Sequence, residues 1–212
     1  SNNALRFYLQ PANQINENRL VSEKPIKKTF LTQRIDFADR SDADWTPPLL
    51  ALTKTLDAHN GIVYISEPMK EGLEVSGLFT GKLDFITNKR DVDLAVTLYE
   101  KMENGDYFQL SYHLGRASYS KDRTHRQLLQ PGKMQQIDFR SERLVSRKLQ
   151  SGSRLVVVVS VLKQSDMQIN YGTGKNVSDE TIADSEEPLT IKWYNNSYVE
   201  VPIWLENIIS HQ

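Results

Sequence analysis

A run of apolar and β-branched residues from Leu155 to Leu162 most constrains what this chain can fold into. Four consecutive valines form its centre, and such residues favour the extended backbone of a strand. The run follows the turn residue Gly152 and has almost no polar alternation, as is typical of a strand that is buried on both faces. We therefore predict a central strand over 154–162 that other parts of the chain cover on either side.

The chain from Gly61 onward is a succession of short segments with strand-like patterns. In the clearest one, apolar and more polar residues alternate from Asp91 to Tyr99. Asn104-Gly105 is a strong signal for a hairpin turn after that segment. The predicted strands are 62–65, 74–85, 92–98, 107–114, 134–139, 154–162, 189–193 and 198–203. Eight strands at roughly ten-residue spacing predict an all-β fold, an antiparallel jelly-roll β-sandwich.

The first part of the chain contains two further predicted strands and one short helix. The strands, at 5–9 and 28–37, are interpreted as a lead-in hairpin. The helix is predicted over 46–57, because Thr46 can cap it, Pro47 suits its first turn and an apolar stripe runs from Leu49 to Leu56. Residues 1–44 are therefore interpreted as lead-in strands and a linker, with the polar stretch 39–44 as the linker, and residues 45–212 as the sandwich.

Composition narrows the function classes. The 26 basic and 27 acidic residues nearly cancel, so no electrostatic footprint for nucleic acid or an anionic membrane is present. The chain has no cysteine, which excludes disulfides, thiol nucleophiles and thiolate metal sites, and no cofactor is predicted. The sequence does not determine the compartment: the bacterial cytoplasm, the periplasm and secretion all stay open. Because the chain begins without Met, a preceding signal peptide also stays open.

Several short motifs occur in a fixed order along nearly the whole chain. They are Leu5-Arg-Phe-Tyr-Leu9, Ile65-Ser-Glu-Pro followed by Gly77, Asp91-Val-Asp93, Gly115-Arg116, Pro131-Gly132, Ser151-Gly-Ser-Arg154 and Asn170-Tyr-Gly-Thr-Gly174. The ordered set resembles the C-terminal non-catalytic domain of the X-Pro dipeptidyl-peptidase and cocaine-esterase (CocE/NonD) family of serine hydrolases. The resemblance implies a galactose-binding-like jelly roll. Asn104-Gly105 departs from the family pattern, since many relatives have a longer Pro-Asp-Gly turn there.

The resemblance implies a function without catalysis for this chain. Family enzymes use a Ser-Asp-His triad with the serine on a Gly-x-Ser elbow, and no Gly-x-Ser tripeptide occurs in this sequence. The chain alone is therefore left uncertain as an enzyme, with no catalytic residue assigned. The implied role is to pack on the α/β-hydrolase domain of a parent esterase or peptidase and to help shape its substrate pocket. A homo-oligomer is a further implied partner.

Two other function classes stay open. The first is a stand-alone carbohydrate-binding sandwich, in which Trp193, Tyr194, Tyr198 and Trp204 would form a stacking platform; packing in the core is the competing interpretation of these residues. The second is a small intact enzyme whose site is assembled across strands. The four histidines, His59, His113, His125 and His211, have no metal-ligand spacing and are interpreted as packed or solvated.

Structural roles are predicted for two sets of residues. Asp91 or Asp93 is expected to form an ion pair with Arg154, because a guanidinium that opens an apolar strand needs a carboxylate if it is interior; a solvated face or a calcium site are the alternatives. Tyr171-Gly-Thr-Gly174 is interpreted as a backbone turn rather than a phosphate cradle. The residues expected at the interface with the hydrolase domain are Phe7, Tyr8, Leu9 and Tyr171.

Overall fold

Fourteen strands and three single 3₁₀ turns make up the regular structure of the described part of the chain. The computed structural model describes residues 3–13, 17–44 and 51–205. The strands are β1 (Asn3–Gln10), β2 (Arg19–Val21), β3 (Phe30–Ile35), β4 (Leu52–Thr53), β5 (Gly61–Ile65), β6 (Leu73–Gly77), β7 (Thr80–Thr87), β8 (Asp93–Lys101), β9 (Tyr107–Arg116), β10 (Met134–Arg140), β11 (Val145–Leu149), β12 (Arg154–Val161), β13 (Leu189–Tyr194) and β14 (Tyr198–Ile203). The 3₁₀ turns are Ala117–Tyr119, Val177–Asp179 and Ile182–Ser185. Within the described ranges, no helix is long and apolar enough to cross a membrane.

The strands form a β-sandwich, which confirms the predicted all-β fold class. The hydrogen-bonded order is β3-β13-β7-β14-β1-β2-β5-β12-β8-β9-β4, with β10 added to β7 and β11 to β6. The neighbouring strands pair antiparallel apart from β2 and β5, which meet in parallel at one residue pair, Arg19 and Ile65. Asn104 and Gly105 lie in the β8–β9 hairpin, where Gly105 has a φ of 91°.

The strand predicted from the valine run is the centre of its layer. β12 pairs with β5 on one side and with β8 on the other. Leu155, Val157 and Val159 face the main core between the layers. Val156 and Val158 face the opposite side, where Ile65, Leu56 and other side chains cover them. Both faces of β12 are therefore covered, which explains why its sequence shows no polar alternation.

The lead-in hairpin is not formed as expected. β1 pairs with β2 and with β14, whereas β3 pairs with β13. The two long N-terminal strands therefore do not pair with each other. Each is instead paired with a C-terminal strand, β1 with β14 and β3 with β13. Their inward side chains, such as Leu9 and Ile35, belong to the main core. The division of the chain at residue 44 stays a prediction.

The predicted helix over 46–57 is corrected for its second half. Residues 45–50 lie outside the described residues. Over 51–57, Leu52–Thr53 forms the short strand β4, which pairs with β9, and the Gln109 N–H donates to the Ala51 carbonyl. Leu56 packs onto the outer face of β12. Burial against the sheet thus accounts for Leu56, one of the apolar residues that suggested a helical stripe.

Candidate functional site

Side-chain hydrogen bonds fix residues 170–180 in the loop that follows β12. The Asn170 amide donates to Asp93 Oδ1 at 2.9 Å and accepts from the Gly172 N–H at 3.0 Å. The Glu180 carboxylate accepts from the N–H groups of Tyr171 and Thr173 and from the Thr173 hydroxyl, at 3.3, 2.8 and 2.6 Å. Side chains at both ends therefore satisfy the backbone of this loop, which holds it in one conformation.

Gly172 is required by its surroundings as well as by its backbone angle. Its φ is 77°, a region that L-residues rarely adopt, and a Cβ there would lie 2.5 Å from the Asp91 carbonyl oxygen. The Gly172 carbonyl accepts from the Arg90 N–H at 2.8 Å, so the loop lies directly against the segment before β8. The glycines of the Tyr171–Gly174 motif therefore serve close backbone packing, in agreement with the backbone-turn interpretation.

Asp91 is the centre of a buried polar network. Its side chain is fully buried, and Arg126 Nη2 lies 3.1 Å from Oδ2. The Ser118 N–H and hydroxyl also donate to the carboxylate, at 2.9 and 2.7 Å. Arg126 donates from Nη1 to the carbonyls of Gly174 and Lys175. One guanidinium thus neutralises the buried acid and at the same time fastens the loop to it.

Asp93 has its own cationic partner. Arg116, at the paired end of β9, donates from Nε and Nη2 to the two oxygens of Asp93, at 2.9 and 3.1 Å. These hydrogen bonds raise the pKa of the Arg116 guanidinium further above its usual value, against the opposing effect of burial. Such a fork-to-fork pair fixes both side chains in one geometry.

The ion pair predicted between Arg154 and Asp91 or Asp93 is wrong. Arg154 begins β12 and lies opposite Lys101, whereas Asp93 lies at the other end of the β8–β12 ladder, next to Leu162. Eight residues of strand separate them, about 25 Å at ~3.3 Å per residue. The two acids lie at or just before the beginning of β8, and Arg154 lies at the beginning of β12. Because β8 and β12 pair antiparallel, the beginning of one strand lies beside the end of the other.

The four residues predicted at a domain interface are largely internal. Tyr8, Leu9 and Tyr171 are buried within this chain, and Phe7 is partly buried against the same core. Tyr171 meets the ring of Phe37 edge-on at 5.6 Å between centroids. Alternation along β1 cannot show which face is covered by the chain itself, and the main core, to which Leu9 belongs, covers one face. These side chains therefore do not form an exposed apolar patch.

The histidines have local acidic or carbonyl partners. His59 lies 3.3 Å from Asp42, and His125 lies 2.9 Å from Asp122. His113 Nδ1 is 3.1 Å from both Glu142 Oε1 and the Arg140 carbonyl. His211 lies outside the described residues. In the parts of the chain that the structure describes, no group of three or more potential ligand side chains could hold a metal ion.

The four aromatic residues near the C-terminus do not share one face. Trp193 is buried and donates from its indole to Gln33 Oε1 at 2.9 Å. Tyr194 and Tyr198 are partly exposed, and Trp204 is exposed. Packing in the core therefore holds for Trp193, while the other three do not join it in a single platform.

Sequence reasoning missed the residues that organise the site. Arg126 and Glu180 lie in irregular segments, where no periodicity marks a functional side chain. Gly115-Arg116 and Asn170 were noted only as parts of motifs. The sequence did predict an ion pair for Asp91 or Asp93, but with Arg154 as the cation.

The family model of the X-Pro dipeptidyl-peptidase C-terminal non-catalytic domain matches residues 1–190. Comparison with curated proteins gives no match.

Solved structures of similar fold come from larger proteins. An aminopeptidase from a marine sediment archaeon, Thaumarchaeota archaeon, superposes with a TM-score of 0.79 at 20% identity, over 96% of this chain and 37% of that chain. An α-amino acid ester hydrolase gives a TM-score of 0.76 at 17% identity, over 95% and 36%. A CocE/NonD family hydrolase from Staphylococcus aureus gives 0.63 at 14% identity, over 96% and 37%.

This chain therefore spans little more than a third of the length of these structures, and the likeness at such low identity establishes the fold. The family match covers residues 1–190, nearly the whole chain. It agrees with the ordered motifs and with the β-sandwich. The chain belongs to the family of X-Pro dipeptidyl-peptidase C-terminal non-catalytic domains.

Proposed function

We propose that this chain is the C-terminal accessory domain of a larger serine hydrolase that cleaves ester or peptide bonds. Its role is to pack on the α/β-hydrolase domain and to help form the wall of the substrate pocket. The observation that carries the proposal is the match of a non-catalytic domain family to residues 1–190. The names of the structurally similar proteins, an aminopeptidase, an ester hydrolase and a CocE/NonD hydrolase, support the same class of parent enzyme.

The contact surface is proposed on the segment before β3 and on β3 itself. Ile26 is fully exposed, and Phe30 is exposed over 47% of its surface although it lies in a paired strand. The Phe30 ring lies 5.4 Å from the ring of Tyr194 on β13, so the aromatic surface continues across two strands. Exposed apolar side chains grouped in this way are typical of surfaces that another protein domain covers.

Reconstitution from separate parts tests the proposal. We expect this chain to bind the separately produced hydrolase domain of its parent protein, as measured by isothermal titration calorimetry. Ile26→Ser and Phe30→Ser should each weaken binding by about tenfold, the effect of losing one buried apolar side chain. Leu144→Ser, at an exposed residue outside this surface, is the matched control. Absence of binding, or equal weakening by the control, would contradict the proposed contact.

The isolated chain is expected to be inactive on p-nitrophenyl esters and on X-Pro p-nitroanilides. A catalytic serine needs an elbow and an oxyanion hole, and the chain has no Gly-x-Ser elbow. Turnover by pure protein that a serine-directed phosphonate abolishes would contradict the non-catalytic role. Saturable binding to glycans together with failure to bind the hydrolase domain would favour the carbohydrate-binding alternative.

A further inference from the structure

One strand edge of the sandwich carries hydrogen-bonding groups without a neighbouring strand. Among the described residues, β10 pairs with β7 alone. The Ser141 N–H, one residue beyond the strand, donates to the Phe79 carbonyl beyond β7. Backbone groups of an antiparallel strand alternate between its two sides, so residues 135, 137 and 139 also face β7. Met134, Gln136 and Asp138 therefore direct their N–H and C=O groups away from it.

A cleft runs along this edge of β10. It consists of two adjoining cavities of about 440 Å³ and about 490 Å³ that share Ala117, Ser120 and Ile137 as lining residues. The cleft lies between β10 on one side and the end of β9 with the loop 117–130 on the other. The apolar part of its floor is formed by inward side chains such as Ile137 and Phe139.

The cleft has a closed end and an open end. At the closed end His113 reaches across from β9 to the Arg140 carbonyl at 3.1 Å, and its ring stacks on Phe139. Glu142 occupies the edge of β9 there, since its N–H donates to the Tyr112 carbonyl and its carboxylate accepts from the Leu114 N–H. The accessible edge is therefore Met134 to Asp138, roughly 17 Å of strand.

The rim of the cleft is cationic. Its exposed basic side chains are those of Lys121, Arg123, Lys133 and Arg140. None of them forms an ion pair with another described residue. The acidic residues of the rim are Asp138, which lies opposite Lys82 on β7, and Glu142, whose carboxylate is bound by His113 and Leu114. Exposed Leu128 and Met134 add apolar surface at the open end.

We propose that the edge of β10 binds an extended acidic peptide segment of a partner protein by strand addition. The N–H and C=O groups of Gln136 and Asp138 pair with the backbone of that segment. Every second side chain of the segment enters the apolar floor between the layers, and the intervening side chains meet the cations of the rim. The occupant is acidic because the rim leaves positive charge uncompensated.

A designed peptide tests this binding mode directly. The probe is a capped hexapeptide of alternating glutamate and valine, labelled for fluorescence anisotropy and added to the full chain. We expect saturable binding, and hydrogen exchange at the Gln136 and Asp138 amides that slows about tenfold or more when the peptide is in excess. The same peptide with N-methyl groups on alternate backbone nitrogens cannot pair, and the version with lysine for glutamate has the wrong charge; both should bind about tenfold more weakly or not at all.

Two pairs of variants separate the backbone and charge contributions. Gln136→Pro removes an N–H that β7 does not use, which an edge strand tolerates, and should weaken binding about tenfold, whereas Gln136→Ala keeps the N–H and should bind normally. Arg123→Glu should weaken binding more than Lys192→Glu, an equal charge change on the exposed face of β13. Thermal unfolding verifies that each variant is folded. The proposal is overturned if the peptide does not bind, or if neither the N-methyl groups nor Gln136→Pro weakens binding. It is also overturned if protection of the edge amides from hydrogen exchange rises with protein concentration alone, because that result means pairing with a second copy.

Discussion

The buried carboxylate of Asp91 makes Arg126 important for the stability of the fold. The Asp91 side chain is fully buried, and Arg126 is its only cationic partner among the described residues. Replacing Arg126 by Met leaves a buried charge without its counter-charge, and we expect the free energy of unfolding to fall by roughly 3–5 kcal/mol. Urea denaturation followed by circular dichroism measures this loss.

Arg123→Met is the matched control, because Arg123 is an exposed arginine of the same loop. Its replacement should change stability by less than about 0.5 kcal/mol, as is usual for a surface site. Equal losses in the two variants would mean that the Asp91 charge is stabilised by its serine and backbone donors without Arg126. The sequence predicted Arg154 as the partner of Asp91 or Asp93, and only the fold shows that the partner of Asp91 is Arg126, 35 residues away.

A comparison of Gly172 with Gly105 distinguishes the stability cost of a strained backbone from the cost of close packing. Both have a positive φ, 77° and 91°, but only Gly172 has a neighbour where a Cβ would lie, the Asp91 carbonyl at 2.5 Å. Gly105→Ala should therefore cost only the conformational penalty, about 1–2 kcal/mol. Gly172→Ala must also move the loop or the segment before β8, so we expect at least twice that loss in the same denaturation assay. Similar losses would show that the loop shifts freely.

Asp42 couples the stability of the fold to pH. Burial alone would raise the pKa of its carboxyl, but hydrogen bonds from Asn60 and Lys163 outweigh burial and lower the pKa in the folded protein. A carboxyl with a lowered folded pKa contributes stability above its unfolded pKa, near 4, and this contribution is lost as the pH falls through the folded pKa. We expect Asp42→Asn to lose less stability than wild type between about pH 4.5 and pH 2.5.

The measurement for Asp42 is the unfolding free energy of each variant across that pH range. Asp166→Asn, at an exposed acid, serves as the control and should follow the wild-type pH dependence. Parallel curves for wild type and Asp42→Asn would contradict the prediction. The segment 36–44 would then be held mainly by Lys163, whose ammonium also donates to the carbonyls of Asp36 and Asp39.

Among the secondary structure elements, strands were predictable where one residue pattern dominates. The alternation at 92–98 became β8 and the valine run became β12, because a pleated strand places every second side chain on the same face. The predicted strand 74–85 is two strands, β6 and β7, separated after Gly77. The sequence did not predict β11, since Val145–Leu149 has three polar residues out of five, and among the described residues this strand pairs with β6 alone.

The helix prediction is wrong over 51–57 because an apolar stripe in the sequence does not show which part of the fold buries it. Leu56 packs on the outer face of β12, beside Val156 and Val158. We expect Leu56→Ala to lower the free energy of unfolding by about 1–2 kcal/mol, as for a partly buried leucine. Leu52→Ala, at the half-exposed Leu52 of β4, is the control and should be nearly neutral. Chemical denaturation distinguishes them, and a reversed order would mean that β4 rather than Leu56 covers this face.

For the molecule as a whole, the pairing between N-terminal and C-terminal strands could not be predicted from the sequence pattern. β1 pairs with β14, 190 to 200 positions away along the chain, and β3 pairs with β13, 154 to 164 positions away. Sequence patterns identify strands locally, whereas strand order depends on which edges meet in three dimensions. The spacing of the predicted strands and the family resemblance both indicated a sandwich, while the position of each strand within it came only from the structure.

This interleaving predicts cooperative unfolding of the complete chain. Trp193 lies in the main core together with Leu9 of β1 and Ile35 of β3, and Tyr64 lies in that core from the other layer. If residues 1–44 were an independent unit, thermal unfolding would show two transitions. We expect one transition, with the same midpoint by tryptophan fluorescence and by far-ultraviolet circular dichroism.

Deletion of residues 1–21 removes β1 and β2 and exposes the edge of β14, so the truncated chain should lose the cooperative transition rather than retain a shortened sandwich. A truncated chain that unfolds cooperatively near the original midpoint would contradict the prediction and support a boundary after the lead-in strands.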